Sequence, residues 1–450
     1  MGTESRLFGT DGIRGRANEE PLTPEFAVAF GRAVAAKFGQ AGQQIVIGRD
    51  TRISGPMLEQ AVAAGVAAMG VDVRLIGVVP TPAVAFLTRH LHGCAGIVIS
   101  ASHNPFEDNG LKIFDASGLK CSDALELELE ALILGDALRS RGVTGAKMGR
   151  IETWPDGAAR YADLAVKAYG NGLDLHGIRI VVDCGNGAAF ETTPTVLRAL
   201  GAEVLTLNVE PNGVNINAGC GSTHPELIQK ATRDFGARIG LSHDGDADRL
   251  ICCDETGSLL DGDEMLAVIG LDLLRRGQLA KKTLVATVMS NLGLDECFAA
   301  AGGKVLRAGV GDRYVLEMML AQDLNVGGEQ SGHVILRDYN TTGDGLVTAL
   351  ELLRIMKTTG EPLSKLRLGM RKYPQLLVNV KVRERIPLDQ LPEVTETVQA
   401  IEKELGLNGR ILLRYSGTEP KIRLLVETRD EALLQPVADR VLVPIRKHLV

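Results

Sequence analysis

Four short polar clusters hold the side chains able to do chemistry. In Ile97-Val98-Ile99-Ser100-Ala101-Ser102-His103-Asn104-Pro105, Ser102 follows a short apolar run. A hydroxyl there is held out at the end of a buried strand, where open α/β sheets build their binding crevices. An unactivated serine is a weak nucleophile and needs a base, a cation or a phosphoryl group already installed. His103 is its neighbour, but neighbours on an extended segment point to opposite faces, so adjacency alone does not make His103 the base. Taken alone, Ser102 also reads as a turn serine before an Asn-Pro turn. In Asp244-Gly245-Asp246-Ala247-Asp248-Arg249 the carboxylates alternate, and an extended backbone is expected to aim all three one way. Like charges at one spot repel unless a cation neutralises them. Hard Mg²⁺ prefers such oxygens and keeps room for a phosphate oxygen, here one on Ser102. A calcium loop with Glu255 at its twelfth position fails at the sixth, where Arg249 stands in place of glycine.

The other two clusters read as ligand contacts. Glu329, Ser331 and His333 alternate at an expected strand end, and together suit sugar hydroxyl or amino groups, although a lone histidine there is more often structural. Arg414, Ser416, Gly417, Thr418 and Arg423 offer a guanidinium fork, hydroxyls and close backbone N–H groups to an anion, with a plain hairpin turn as the alternative. Arg14 and Lys112, beside glycine-rich turns, read as surface charge unless they face Ser102. No P-loop pattern occurs, and Gly185-Asn186-Gly187 lacks the third glycine of a dinucleotide site. As a set, the clusters describe phosphoryl transfer on a small polar molecule.

Elements able to position them alternate for most of the length. Strands are expected over 44–48, 72–79 and 97–100, then 178–183, 203–209 and 237–242, then 283–289 and 304–310. Helices are expected between them over 56–69, 83–90, 193–200, 225–235, 265–275, 294–301, 313–322 and 345–357. Such alternation predicts mainly parallel sheets covered by helices on both faces. The three rounds suit diverged copies of one module, although residue identity does not establish this. After about residue 372 the rhythm changes to strands 376–382, 411–415 and 422–427 with helices 394–405 and 431–448, a small α+β unit. With linkers near 150–160, 253–262 and 365–373, the expected division is 1–155, 156–255, 256–368 and 369–450. The fold class is therefore three doubly wound βαβ domains plus a smaller C-terminal α+β domain around a central cleft.

Composition narrows the function. At 450 residues the chain is too long for one core, and ~100–200 residues per domain suggests about three or four. A net charge of −7 and only 4% aromatic residues weigh against nucleic acid or an anionic membrane surface as partner. The amino-terminal residues show no apolar signal core, and no run is long enough to span a bilayer. Seven cysteines without metal-ligand spacing fit a reducing, cytoplasmic setting.

With Phe8-Gly9-Thr10-Asp11-Gly12-Ile13-Arg14-Gly15 added, these clusters resemble the α-D-phosphohexomutase superfamily over nearly the whole chain. Pro211-Asn212-Gly213-Val214-Asn215-Ile216-Asn217, Gly219-Cys220-Gly221-Ser222-Thr223-His224-Pro225, and Gln330 where phosphomannomutases usually carry methionine or another residue, are similar to its bacterial phosphoglucosamine mutase branch. Leu111 and Phe106 depart conservatively. The resemblance implies a phosphoryl group on Ser102, and Mg²⁺ held by Asp244, Asp246, Asp248 and Ser102. It also implies that Arg14, His103 and Lys112 assist transfer, and that Arg249, Glu329, Ser331, His333, Arg414, Ser416, Gly417, Thr418 and Arg423 meet the substrate. That substrate would be an amino-sugar phosphate, glucosamine 6-phosphate, interconverted with glucosamine 1-phosphate through a hexose 1,6-bisphosphate, on the route to UDP-N-acetylglucosamine. A homodimer and an activating kinase are further implied partners. Rival readings are a phosphomannomutase/phosphoglucomutase of the same fold, a serine phosphohydrolase, and a sugar-phosphate sensor without catalysis.

Overall fold

In the computed structural model, which describes residues 7–9, 11–416 and 420–450, one strand arrangement occurs three times. Across the first sheet run Ile13–Arg16, Asp108–Asp115, Ala95–Ile99, Gln44–Arg49, Asp72–Val78 and Ile151–Thr153. The second holds Leu259–Leu260, Leu250–Asp254, Ile239–His243, Arg179–Asp183 and Glu203–Leu207. The third holds Val334–Leu336, Val326–Gly328, Thr283–Thr287 and Lys304–Ala308. In each, the first parallel strand lies between the third and the second, and an antiparallel strand is added beyond the third. The repeated order supports diverged copies where residue identity could not.

The antiparallel additions modify the expectation of mainly parallel sheets. A return loop of a few residues can only bring the chain back antiparallel, whereas a parallel return needs a crossover of a dozen or more. The strands Asp108–Asp115, Leu250–Asp254 and Val334–Leu336 each follow such a short loop, so each sheet is mixed at one side. The expected linker at 253–262 is largely taken up by pairing of Leu250–Asp254 with Leu259–Leu260.

Strand side chains alternate between two apolar layers, as the period of two requires. Ile45, Ile47, Ile97, Ile99 and Leu111 enter one cluster with Phe30 and Val62 of the helices Pro24–Phe38 and Gly55–Ala68. Val46, Val98 and Phe114 enter the other, which runs on through Val182 and Leu241 to Leu284 and Leu350. Three sheets therefore share a continuous core, where length alone had suggested separate ones.

The carboxy-terminal unit matches the expected α+β form. Its antiparallel sheet has Lys421–Thr428 between Gln375–Lys381 and Gly409–Tyr415. The helices Pro392–Leu405 and Leu434–Leu449 cover it, and Val394, Ile401, Leu424 and Val441 form its own core. Its seat on the third sheet's domain is polar. Glu427, fully buried, accepts from the Leu292 N–H at 2.7 Å and from Arg410 Nε at 2.7 Å. Asn291 donates to the Tyr373 carbonyl and accepts from its N–H, both at 2.9 Å. No helix among the described residues is long and apolar enough to cross a membrane.

Candidate active site

The repeated topology explains where the polar clusters fall. The Ser102 turn, the aspartate turn and the Glu329–His333 turn each join the third parallel strand of a sheet to its antiparallel neighbour. They are equivalent positions in the repeated strand arrangement, and they meet. Ser102 Oγ donates to Asp244 Oδ2 at 2.5 Å, across the first and second domains. The Leu250 N–H donates to the Gly332 carbonyl at 3.1 Å, and the Gly345 N–H to the Ala247 carbonyl at 3.1 Å, joining second and third.

Ser102 is fully buried and held from behind. Its backbone has φ 52°, a left-handed conformation costing about 1–3 kcal/mol that persists only where the surroundings over-determine it. They do so here. Ser100 Oγ accepts from the Ser102 N–H at 3.0 Å and donates to Asp50 Oδ2 at 2.6 Å. Arg52, fully buried and paired with Asp50 at 2.9 Å, donates to the carbonyls of Ser102 at 2.9 Å, Asn104 at 2.8 Å and Asp108 at 3.0 Å. From the second domain, Asn217 Nδ2 reaches the Ser102 carbonyl at 2.9 Å. A Cβ on Gly245 would stand 2.6 Å from that same carbonyl, so the close approach of the two turns requires glycine. Sequence reasoning passed over Asp50 and Arg52, although an Asp-Thr-Arg run at the exit of a buried strand is a readable sign of burial with a purpose.

The left-handed turn also removes the extended-backbone objection to His103 as the base. Because the chain is not extended at Ser102, His103 Nδ1 comes to 3.4 Å from Ser102 Oγ. Burial, then the Arg249 and Arg14 guanidinium groups, bring its imidazole down to about 4, so the ring is neutral near pH 7.

The carboxylates converge by a different route from the expected one. Residues 244–249 form a turn with Ala247 at φ 57°, not an extended run, yet an oxygen from each of Asp244, Asp246 and Asp248 lies within 4.8 Å of the others. All three are buried, and Asp246 Oδ1 and Asp248 Oδ1 lack a hydrogen-bond partner among the described residues. Burial, then the neighbouring Asp248 and Asp246, push Asp244 well above the usual carboxylate range. At Asp246 burial pulls the same way, but the Lys112 ammonium outweighs it and holds that carboxyl below the range. An all-oxygen set with orphaned acceptors is consistent with a metal site for a hard cation.

Lys112 is not surface charge. It lies on the strand Asp108–Asp115, is 2% exposed, and its Nζ reaches Asp246 at 2.8 Å, Asp11 at 2.8 Å and Asp248 at 3.5 Å. Arg14, on the strand Ile13–Arg16, is paired with Asp11 and donates to the Ala101 carbonyl at 3.4 Å. Thr81 Oγ1 donates to Asp246 Oδ2 at 2.7 Å, a contact the sequence did not advertise.

The sugar candidates divide. Glu329, Ser331 and His333 lie on a hairpin turn between Val326–Gly328 and Val334–Leu336, so alternation does not set their directions. Ser331 is exposed and Glu329 half-buried, with Ser331 Oγ 3.5 Å from Glu329 Oε2. His333 is 2% exposed, and its Nε2 accepts from the Gly343 N–H at 2.8 Å. At the fourth cluster, Arg414 stands opposite Arg423 across paired strands, and Arg423 donates to Ser416 Oγ at 3.4 Å. Burial, then Arg423, lower the Arg414 guanidinium, which is the electrostatics of a place suited to an anion. Gly417 and Thr418 lie outside the described residues. Arg249 lies beside the triad, its Nε 3.9 Å from Asp248.

Four successive stretches match the models for phosphoglucomutase/phosphomannomutase alpha/beta/alpha domains I, II and III and the C-terminal domain, over residues 5–139, 160–257, 261–373 and 377–442. The chain belongs to the phosphoglucomutase/phosphomannomutase family. Its curated relatives include the phosphoglucosamine mutase of Syntrophotalea carbinolica, 50% identical over 99% of this chain and 98% of that one. Another is the phosphoglucosamine mutase of Desulforudis audaxviator, 52% identical over 96% of each. A solved phosphoglucomutase/phosphomannomutase family protein from Burkholderia thailandensis superposes with a TM-score of 0.80 at 26% identity, covering 98% of this chain and 97% of that one. The Aspergillus fumigatus N-acetylphosphoglucosamine mutase, solved in complex with GlcNAc-6P and magnesium, shares the fold with a TM-score of 0.68 at 17% identity over 98% of this chain and 95% of that one.

Proposed function

We infer that the protein is a phosphoglucosamine mutase, interconverting glucosamine 6-phosphate and glucosamine 1-phosphate. The observation that carries this reading is Ser102 Oγ seated 2.5 Å from Asp244 in a buried aspartate triad, in a chain about half identical to phosphoglucosamine mutases over nearly its whole length. The phosphorylated serine gives its phosphoryl group to the free sugar hydroxyl. The Ser102 P–O bond breaks, a new P–O bond forms on the sugar, and the hydroxyl proton leaves by way of the emptied serine oxygen. The resulting 1,6-bisphosphate turns in the cleft and returns its other phosphoryl group to Ser102.

Asp244, Asp246 and Asp248, with an oxygen of the phosphorylated Ser102, would hold Mg²⁺, which supplies charge neutralisation for transfer. Neutral His103, beside Ser102 Oγ, is placed to take or return the serine proton. Lys112 and Arg14 bring positive charge to the transferring group, and Arg249 stands beside it. Glu329 and Ser331 read the sugar, and His333 braces their turn. Arg414, Ser416, Gly417, Thr418 and Arg423 hold the phosphate that is not reacting. The proposal extends to four domains near 1–155, 156–255, 256–368 and 369–450, a cytoplasmic homodimer, first phosphorylation by a bisphosphate primer or a kinase, and product use in UDP-N-acetylglucosamine synthesis.

Turnover on glucosamine, glucose and mannose phosphates, with intact-protein mass of Ser102 before and after a bisphosphate primer, tests the reading. Preferred isomerisation of glucosamine phosphates with one added phosphoryl group is expected. Preference for mannose or glucose phosphates, or release of free phosphate without isomerisation, would overturn it.

A further inference from the structure

The sugar turn and the nucleophile belong to different domains, yet a largely buried run of alternating charge connects them. Asp11, in the first domain, pairs with Lys112 at 2.8 Å and accepts from Lys120 Nζ at 2.6 Å. Lys120 also pairs with Asp312, the first residue of the helix Asp312–Gln322 in the third domain. Asp312 Oδ2 in turn lies 3.6 Å from His333 Nδ1, and the Gly311 N–H just before it donates to Glu329 Oε1 at 3.0 Å. Both ends of the sugar turn thus rest on residues 311–312. Next to them, Arg313 is 6% exposed and crosses the same boundary to Glu126, with Nη1 to Oε2 at 2.9 Å, and to Asp123. Two neighbours of opposite charge each meet their opposite on the segment 120–126.

Burial of such pairs is a poor source of net stability, because desolvation offsets most of the attraction. It does fix register, since a displaced partner leaves a charge buried and alone. The Lys120–Asp312 bridge joins the residues under the sugar turn to Asp11, which Lys112 links to Asp246 at 2.8 Å.

We propose that Lys120 and Asp312 are positioning residues that set the sugar turn against the phosphoryl donor, and so retain the bisphosphate in the cleft while it reorients. This rests on the mutase reading above. The bisphosphate must let go of one orientation without leaving, so the distance between sugar contacts and donor decides whether it is recaptured or escapes. A loosened third domain widens that distance while leaving Ser102, the triad and Lys112 intact.

The test compares the parent with Lys120→Met, Asp312→Asn, the double variant and Lys120→Arg, using glucosamine 6-phosphate as substrate and glucose 1,6-bisphosphate as primer. Expected for Lys120→Met are a KM raised about tenfold, a similar rise in the primer concentration giving half-maximal rate, and bisphosphate released to solution during turnover. Ser102 labelling by saturating primer stays near that of the parent. Asp312→Asn gives the same pattern, the double variant is no worse than the worse single, and Lys120→Arg recovers most of the loss. If Lys120→Met does not fold, Asp312→Asn carries the same expectations. Unchanged KM, primer requirement and bisphosphate release in a folded variant overturn the proposal, as does a fall in kcat alone. Failure of the parent to isomerise glucosamine phosphates would instead overturn the underlying reading.

Discussion

At Ser102, Arg52, Asn217 and Ser100 hold the backbone, while the hydroxyl faces Asp244 and His103. Ser102→Ala keeps those backbone bonds, and is expected to lower mutase turnover by orders of magnitude with an unchanged circular dichroism spectrum. Near-parental steady-state activity in that variant would remove Ser102 from the chemistry. Asp246→Asn is expected to weaken Mg²⁺ activation at least about tenfold, read from a metal titration of rate. Arg414→Ala is expected to raise the KM for sugar phosphate about ten- to hundredfold, since a charge-assisted hydrogen bond is lost. Residue types and local order disclosed most of this chemistry, because nucleophile, carboxylates and guanidinium groups announce themselves. Directions were less legible. Alternation predicts one shared direction for Asp244, Asp246 and Asp248, and an extended segment leaves the place of His103 open, but left-handed Ser102 and Ala247 bend both segments into turns. Backbone sign at a single residue is set by distant partners such as Arg52 and Asn217, which no local pattern contains.

At the scale of elements, the helix Gly262–Arg275 carries a testable strain in its first turn. Asp263 is fully buried, Oδ2 accepts from the Asn291 N–H at 2.8 Å, and Oδ1 lacks a partner among the described residues. Burial, then the carboxylate of Asp261, push its carboxyl up to about 7. A folded-state value above the unfolded one means that stability is fullest at low pH and is lost as pH rises through 7. Asp263→Asn removes the ionisation and is expected to gain roughly 1–3 kcal/mol over the parent at pH 8 relative to pH 5, measured by urea unfolding. A difference that does not widen with pH would contradict this. Element existence was well marked where apolar period and Gly or Pro punctuation agreed, as for Gln44–Arg49 and Thr283–Thr287. The helix Pro24–Phe38 was passed over despite Thr23, whose hydroxyl accepts from the Phe26 N–H, and a proline at the first position. The strand Asp108–Asp115 is absent from the expected elements, because Asp-Asn-Gly near its start weakens the local signal and its pairing with Ala95–Ile99 is non-local.

For the whole molecule, the continuous core through three sheets and the separate core of the carboxy-terminal unit predict two cooperative transitions on heating rather than four. Calorimetry in which Glu427→Ala shifts the smaller transition, by about 3 kcal/mol, and leaves the larger in place would support that division. Small-angle scattering of the same variant is expected to show a broader distance distribution, since Arg410 and the Leu292 N–H lose their shared acceptor. The segregated lobe also bears on inheritance. A chimera taking residues 375–450 from a related gene must preserve polar handholds such as Glu427 on the Leu292 N–H and Arg410 on the Ser290 carbonyl to dock. One that exchanges the second sheet would have to refit Val182 and Leu241 to neighbours on both sides. Recombination within such genes would therefore be tolerated at the carboxy-terminal lobe and penalised at the second sheet.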